Sequence, residues 1–314
     1  MKVVVIYPQS FFSGSQQQKL SPLGEVFYSE AREELSTEQL DELSEDAEVL
    51  AIGPGPFGGF EKAKEKVTAT LGKLPNLKGL CLSTTAYGWI DLDYCKTKNI
   101  PVCNVPGYSR ESVAEHTLAL LLNLAKRIIV TDRKTQLGKY KLEIGFELKG
   151  KTLGIIGLGN IGSRVAELAQ CIGMNVIAYN RSPKNIPGVE MKSLEEVIKE
   201  SDAITLHTID SEETKNMIDK DQLTMMKDNV IIVNTVDRSL VNEQAMAEAI
   251  KSKKIYGYAY EAEDLQNAPL AGLENVIGLK GFGWFTKEAL ENLAQIWVDN
   301  IESIVNDKPQ NTVY

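Results

Sequence analysis

The chain has 314 residues, of which 43% are apolar, 25% charged and 7% aromatic. That is an ordinary globular composition, which excludes a disordered tail, a coiled coil or a collagen-like fibre. At roughly 100 to 200 residues per domain the length favours two domains, each able to bury a core without disulfide support. A net charge of -9 repels phosphate backbones, so nucleic acid is an unfavourable partner.

The opening run MKVVVIYP is too short for the apolar core of a signal peptide or for a membrane span. The apolar stretch Thr117–Leu122 is interrupted at Asn123 and reads as a buried helix. Cys81, Cys95, Cys103 and Cys171 show no CxxC spacing, which fits reduced thiols in a cytoplasmic protein and gives no support for a metal site. There are only two histidines, His116 and His207.

In the first hundred residues, 3–7, 49–52, 79–83 and 101–104 read as strands, while 36–43 and 59–71 read as helices, the alternation of βαβ units. A long helix over 109–129 follows, with Ser109 and Glu111 as start signals. From Lys151 the rhythm is stricter: TLGIIGLG, NVIAYN, AITLHT, VIIVNT and IYGYAY are strands, each followed by a helical stretch. This predicts an α/β fold of two doubly wound parallel-sheet lobes. A last amphipathic stretch over 284–305 carries Leu290, Leu293, Ile296, Trp297, Ile301 and Ile304 on one face and could return to pack on the first lobe.

Gly157, Gly159 and Gly162 form GLGNIG between an apolar strand and a helical stretch. In that context the first glycine permits a tight turn, the second lets backbone approach a pyrophosphate, and the third allows close helix-on-strand packing. Amides at the helix start, including those of Asn160 and Ile161, then face the phosphates. The next strand ends in Asn180, Arg181 and Ser182, about 20 residues on, where NAD-specific sites place an acid against the ribose hydroxyls. No acid stands there. Asn180 does not repel a ribose 2'-phosphate, and Arg181, Ser182 and Lys184 supply groups that could bind one, so NADP(H) is expected over NAD(H). The alternative is that Arg181 and Lys184 are solvated loop charges.

Over most of its length the chain resembles the D-isomer-specific 2-hydroxyacid dehydrogenases. The resemblance is carried by KGLCLSTTAYGWIDLDYCKTKNIPVCNVPGYS, SVAEHTLALLLNLAKR, LKGKTLGIIGLGNIG, LHTIDSEETKNMI, VIIVNT and LENVIGLKGFGWFTKEAL. It implies a flavodoxin-like substrate lobe of residues 1–100 and 285–314, a Rossmann nucleotide lobe of 101–284, an active site in the cleft between them, and a homodimer to which the helix from Ser109 contributes. It places Thr84, Thr85 and Ala86 in the turn whose amides hold a substrate carboxylate. It places His207, Thr208, Thr214 and Thr235 along the nucleotide, and Glu261 where an acid meets the carboxamide.

Members of that family use an arginine clamp, a proton-donating histidine and a glutamate that tunes it, because hydride delivery to a carbonyl builds an alkoxide. Here the arginine of Asn-Thr-x-Arg-Gly is replaced: Asn234, Thr235 and Val236 lead to Asp237 and then Arg238. Gly281 holds the place of the histidine, and no histidine follows His207. The glutamate falls on Gln266, with Glu261, Glu263 and Asp264 nearby. Losing one general acid typically costs ~10²- to 10⁴-fold, so ordinary 2-oxo-acid reduction is disfavoured. Candidate replacements are Asp237, Arg238 (turned into the cleft or out to solvent) and Lys280 (a proton donor or a solvated side chain). The acid at 237 suggests a substrate bearing a basic or hydroxylated group. Tyr87, Tyr258, Tyr260 and Trp284 are expected as walls. Two readings stand: an NADP(H)-dependent oxidoreductase acting on a small oxo or hydroxy compound with altered catalytic residues, or a catalytically silent nucleotide-binding regulator.

Overall fold

The computed structural model describes residues 1–209, 211–262 and 269–314. It divides the chain into two compact units, one of residues 1–108 with 287–314 and one of residues 109–286.

The first unit contains β1 (Lys2–Ile6), α1 (Gly14–Leu20), β2 (Glu25–Tyr28), α2 (Thr37–Ser44), β3 (Val49–Ile52), α3 (Ala63–Leu71), β4 (Gly79–Leu82), α4 (Leu92–Thr97) and β5 (Val102–Cys103). The strands form a parallel sheet in the order β2-β1-β3-β4-β5, the flavodoxin-like arrangement. β1, β3 and β4 are apolar and buried on both faces, as central parallel strands require. β2 escaped the sequence reading because it is an edge strand whose residues alternate between exposed and half-buried, leaving no apolar run. The unit boundary falls at Tyr108/Ser109 rather than at residue 100, because Val102 and Cys103 pair with Leu80 and Cys81 and so extend the first sheet.

The C-terminal helix, α11 (Lys287–Val305), belongs to this unit. Leu293, Trp297, Ile301 and Ile304 recur at helical spacing and pack with Val3, Val5, Val49, Ala51 and Cys81 on one face of the sheet. Trp297 is fully buried, and its indole N–H donates to the Cys81 carbonyl at 3.1 Å. Burial of such a side chain contributes about 3 kcal/mol before entropy is counted.

The second unit begins with α5 (Arg110–Lys126) and α6 (Ile128–Gln136). The single helix expected over 109–129 is two, because Arg127 adopts a left-handed conformation, φ 55°. Its guanidinium is held 3.0 Å from Glu143 and over the Tyr256 ring. There follow β6 (Thr152–Ile156), α7 (Asn160–Cys171), β7 (Asn175–Tyr179), β8 (Val189–Met191), α8 (Leu194–Glu200), β9 (Ala203–Leu206), α9 (Lys220–Met225), β10 (Val230–Asn234), α10 (Glu243–Lys251), β11 (Ile255–Glu261) and β12 (Val276–Leu279). Among the described residues the sheet order is β12-β11-β10-β9-β6-β7-β8, all parallel.

Alternate residues of each strand face opposite layers. Leu153, Ile155, Ile231 and Val233 pack with Leu121, Leu124, Val165 and Ala169 of α5 and α7, while Ile204, Leu206, Val230 and Ile232 pack with Val197, Leu223 and Met246 of α8, α9 and α10. The order reverses direction between β6 and β9, and in open α/β sheets a ligand binds at such a switch point, outside the carboxyl ends of the strands.

Candidate active site

At the carboxyl end of β6 the backbone of Gly157 has φ +98°, and a Cβ there would lie 2.6 Å from the carbonyl oxygen of His207. A Cβ on Gly162 would lie 2.0 Å from the Gly157 carbonyl. The turn therefore excludes any side chain at either position. Gly159 differs, since a Cβ there would meet nothing within 4 Å, so the open side of the cradle is kept clear for a ligand. Gly159 is also the N-cap of α7 and supplies no side-chain cap. The amides of Asn160, Ile161 and Gly162 thus lack intrahelical acceptors, and the helix dipole adds attraction for an anion. A cradle that a Cβ would fill, with an uncapped helix behind it, fits the diphosphate of a dinucleotide.

At the end of β7, Asn180 braces this loop: its Oδ1 accepts the Leu158 N–H at 2.9 Å and its Nδ2 donates to Ser182 O at 2.7 Å. Lys184 is exposed, and its ammonium donates to the Leu158 carbonyl of the glycine loop. Arg181 is 82% exposed and only loosely paired, at 3.3 Å, with an equally exposed Glu213. Past β9, the His207 N–H donates to Ile156 O at 2.8 Å, and Thr208 lies against Gly157. Burial pushes the His207 imidazole down to about 3, so it is neutral at physiological pH. Its Nε2 and the Thr235 hydroxyl are buried without a partner among the described residues. Thr214 closes its own turn by donating to Ile209 O at 2.7 Å.

After β10, Asn234 organises the segment that carries Asp237 and Arg238. It accepts the Val236 N–H at 3.0 Å and donates to the Asp237 carbonyl at 2.7 Å and to the Tyr258 hydroxyl at 3.3 Å. Asp237 is exposed, and its carboxylate caps a short turn by accepting the Ser239 N–H at 2.8 Å. Arg238 is held bidentately by Glu243, its Nε and Nη2 donating to Oε1 and Oε2 at 2.6 Å each. Glu243 had no place in the sequence reading, yet it decides where Arg238 points. Lys280 is exposed and makes no ion pair with a described residue. Glu263, Asp264 and Gln266, the candidates for the tuning glutamate, lie outside the described residues.

Glu261, at the end of β11, is buried, and its Oε1 accepts the N–H groups of Phe282 at 3.0 Å and Gly283 at 2.8 Å. His116 Nε2 lies 3.2 Å from the same oxygen. Burial alone would raise this carboxyl group, but His116 and the two amides hold it below the usual glutamate range. The sequence signal for this pairing was slight: a histidine on one helix and an acid at a strand end, far apart in the chain.

In the first unit, Thr84, Thr85 and Ala86 form the loop after β4. The Thr84 hydroxyl donates to Ala86 O at 2.7 Å, the Thr85 hydroxyl to Val105 O at 2.9 Å, and the buried Trp89 indole to Ala86 O at 2.9 Å. Side chains thus fix the loop, while the N–H groups of Thr85, Ala86, Tyr87 and Gly88 donate to no described residue. Such an outward set of amides suits a carboxylate.

Strand order, switch point and glycine cradle together define a dinucleotide-binding α/β protein. The family model for the D-isomer specific 2-hydroxyacid dehydrogenase NAD binding domain matches residues 118–279. A glycerate dehydrogenase of Methylorubrum extorquens is 32% identical over 301 residues, covering 91% of each chain. A hydroxypyruvate reductase of Blautia hydrogenotrophica is 30% identical over 333 residues, covering 100% of this chain and 99% of that one. Among solved structures, an acyclic imino acid reductase, Bsp5, in complex with NADPH and D-Arg superposes with a TM-score of 0.85 at 29% identity, covering both chains in full. This chain belongs to the D-isomer-specific 2-hydroxyacid dehydrogenase family. It is a nicotinamide-dependent oxidoreductase that exchanges hydride with a small oxo or hydroxy compound.

His207, half-buried with its Nε2 shielded from water, carries a testable consequence. Its folded-state value of about 3 lies below the unfolded value near 6.5, so the stability it contributes is complete above pH 6.5 and is lost as pH falls toward 3. Denaturant titrations of the native protein from pH 7 to 5 are expected to show stability falling with proton uptake, and His207→Asn should flatten that slope. An unchanged slope in the variant would refute the assignment.

Proposed function

We propose that this enzyme uses NADP(H) in preference to NAD(H) and reduces a small 2-oxo acid, or oxidises the corresponding 2-hydroxy acid, whose side chain bears a basic group. The observation that carries the cofactor choice is the end of β7. Asn180 replaces a carboxylate, its amide is spent on the glycine loop, and the exposed Arg181 remains available to a 2'-phosphate beside Ser182. The structural likeness to a reductase crystallised with NADPH supports the same choice.

The substrate reading rests on the replaced clamp. An arginine at 237 would attract a carboxylate or alkoxide, whereas Asp237 repels both and attracts a cation. The D-Arg bound to the similar imino acid reductase is a ligand with such a basic group. In this reading Asp237 pairs with the basic group of the substrate, and Arg238 stays with Glu243 to shape the turn. The bound cofactor supplies the hydride. Lys280, an exposed ammonium beside Gly281, is the candidate proton donor. Membership in a family of dehydrogenases and reductases supports this reading over that of a silent regulator.

The buried thiols Cys81, Cys95 and Cys103 fit a reducing cytoplasm, and among the described residues no helix is long and apolar enough to cross a membrane. A homodimer is supported by the arm after α6, where Leu137, Tyr140, Leu142 and Ile144 are each at least 72% exposed.

Calorimetric titration should give a dissociation constant at least about tenfold lower for NADPH than for NADH, as expected for a charge-assisted contact to the extra phosphate; tighter NADH binding would sink the cofactor choice. In an assay panel with NADPH, 2-oxo acids with guanidino or amino side chains should outpace glyoxylate and hydroxypyruvate, and Asp237→Asn should lower kcat/KM for the basic substrates about tenfold or more. Lys280→Ala should lower kcat; an unchanged kcat removes Lys280 from the mechanism. Light scattering of the purified protein should give twice the chain mass, and Leu142→Asp should return it to that of one chain.

A further inference from the structure

The described residues of the nucleotide-binding unit contain a buried histidine–glutamate pair that the proposed chemistry does not use. His116, on α5, is 14% exposed at its side chain and Glu261, at the end of β11, 9%. All the contacts of the carboxylate converge on one oxygen: Oε1 accepts the Phe282 and Gly283 N–H groups and lies 3.2 Å from His116 Nε2. No described residue donates to Oε2. The peptide segment so held is fixed from its other side as well, since Ser112, one turn before His116 on α5, donates its hydroxyl to the Gly283 carbonyl at 2.5 Å. His116 also meets the Phe282 ring edge to face, with centroids 5.0 Å apart. A Cβ on Gly283 would lie 2.8 Å from the His116 ring, so the segment can close on the imidazole only with glycine there.

The sheet places this cluster. Phosphates bound at the Gly157 turn sit over β6, and the adenosine ribose of a dinucleotide extends toward the end of β7, where Asn180 stands. The other half must run across β9 and β10, past the unpartnered His207 Nε2 and Thr235 hydroxyl, toward β11. Glu261 is three strand spacings of ~4.8 Å from β6 on that side.

The family resemblance already sets Glu261 against the carboxamide of the cofactor; we propose that His116 is a positioning residue for that contact, holding the carboxylate and the Phe282–Gly283 backbone together so that Oε2 stays turned to the ligand amide. A carboxylate with one oxygen held by two backbone N–H groups and faced by an imidazole nitrogen at 3.2 Å is restrained from rotating, and its other oxygen accepts a charge-assisted hydrogen bond at little ordering cost. His207 cannot take this role, its imidazole being shielded and neutral behind the glycine turn. The inference rests on the nicotinamide dependence of the family and not on the preference for NADP(H).

The test compares ligands that share an adenosine end and differ in the nicotinamide: NADPH with 2'-phospho-ADP-ribose, and NADH with ADP-ribose. Calorimetry on His116→Ala should show the reduced dinucleotide of each pair bound about tenfold more weakly, with its nicotinamide-free partner changed by less than about twofold. His116→Gln, which retains an N–H donor, should recover most of the loss. Glu261→Gln, close in shape to the native side chain, should weaken only the nicotinamide-bearing ligands and gives the same reading if His116→Ala fails to fold. Equal losses for both members of a pair, or no loss in either variant, would overturn the proposal.

Discussion

The nucleotide-binding unit depends on the close approach of the Gly157 backbone to the carbonyl of His207, at the point where the sheet reverses direction. A side chain at 157 would occupy the space of that carbonyl, and one at 162 would occupy the space of the Gly157 carbonyl. Because both are excluded, β6 runs directly into α7 with its first amides uncapped and directed at a ligand. Neighbouring features are arranged around that turn. Asn180 and Lys184 brace the two sides of the Leu158 peptide, and the His207 imidazole is shielded behind it at the cost of its basicity.

The cradle carries Gly157, Gly159 and Gly162, and the segment after β10 carries Asp237 and Arg238. The structure shows how the altered segment remains ordered: Asp237 caps a turn, Glu243 holds Arg238, and Asn234 ties the segment to the buried Tyr258. An acid introduced at this position is therefore compatible with a well-packed strand end. Past the end of β12, Gly283 lets the chain lie close against His116 and Glu261, which a side chain there would prevent. The segment that has no histidine of its own is thus fastened to one from a different helix.

Legibility varied with the range of the interaction. The central strands and the glycine turn were readable because their signals are local: unbroken apolar runs for strands buried on both faces, and glycine spacing for backbone approach. The edge strand Glu25–Tyr28 carries no such run, and at the break the Arg127 side chain is held by Glu143 and Tyr256, which come later in the chain.

By itself the sequence determined that this is a two-unit α/β protein with a dinucleotide cradle, and that Asp237 and Arg238 follow Asn234-Thr235-Val236 while no histidine follows His207, since residue identity and short-range periodicity are written directly in the chain. Only the tertiary structure decided the partners of the charged and polar groups: Arg238 with Glu243, Lys184 with the Leu158 carbonyl, Glu261 with His116 and the Phe282–Gly283 amides. Hydrogen bonds and ion pairs act over a few ångströms of space, and folding brings to that distance groups separated by more than a hundred residues, as His116 and Glu261 are.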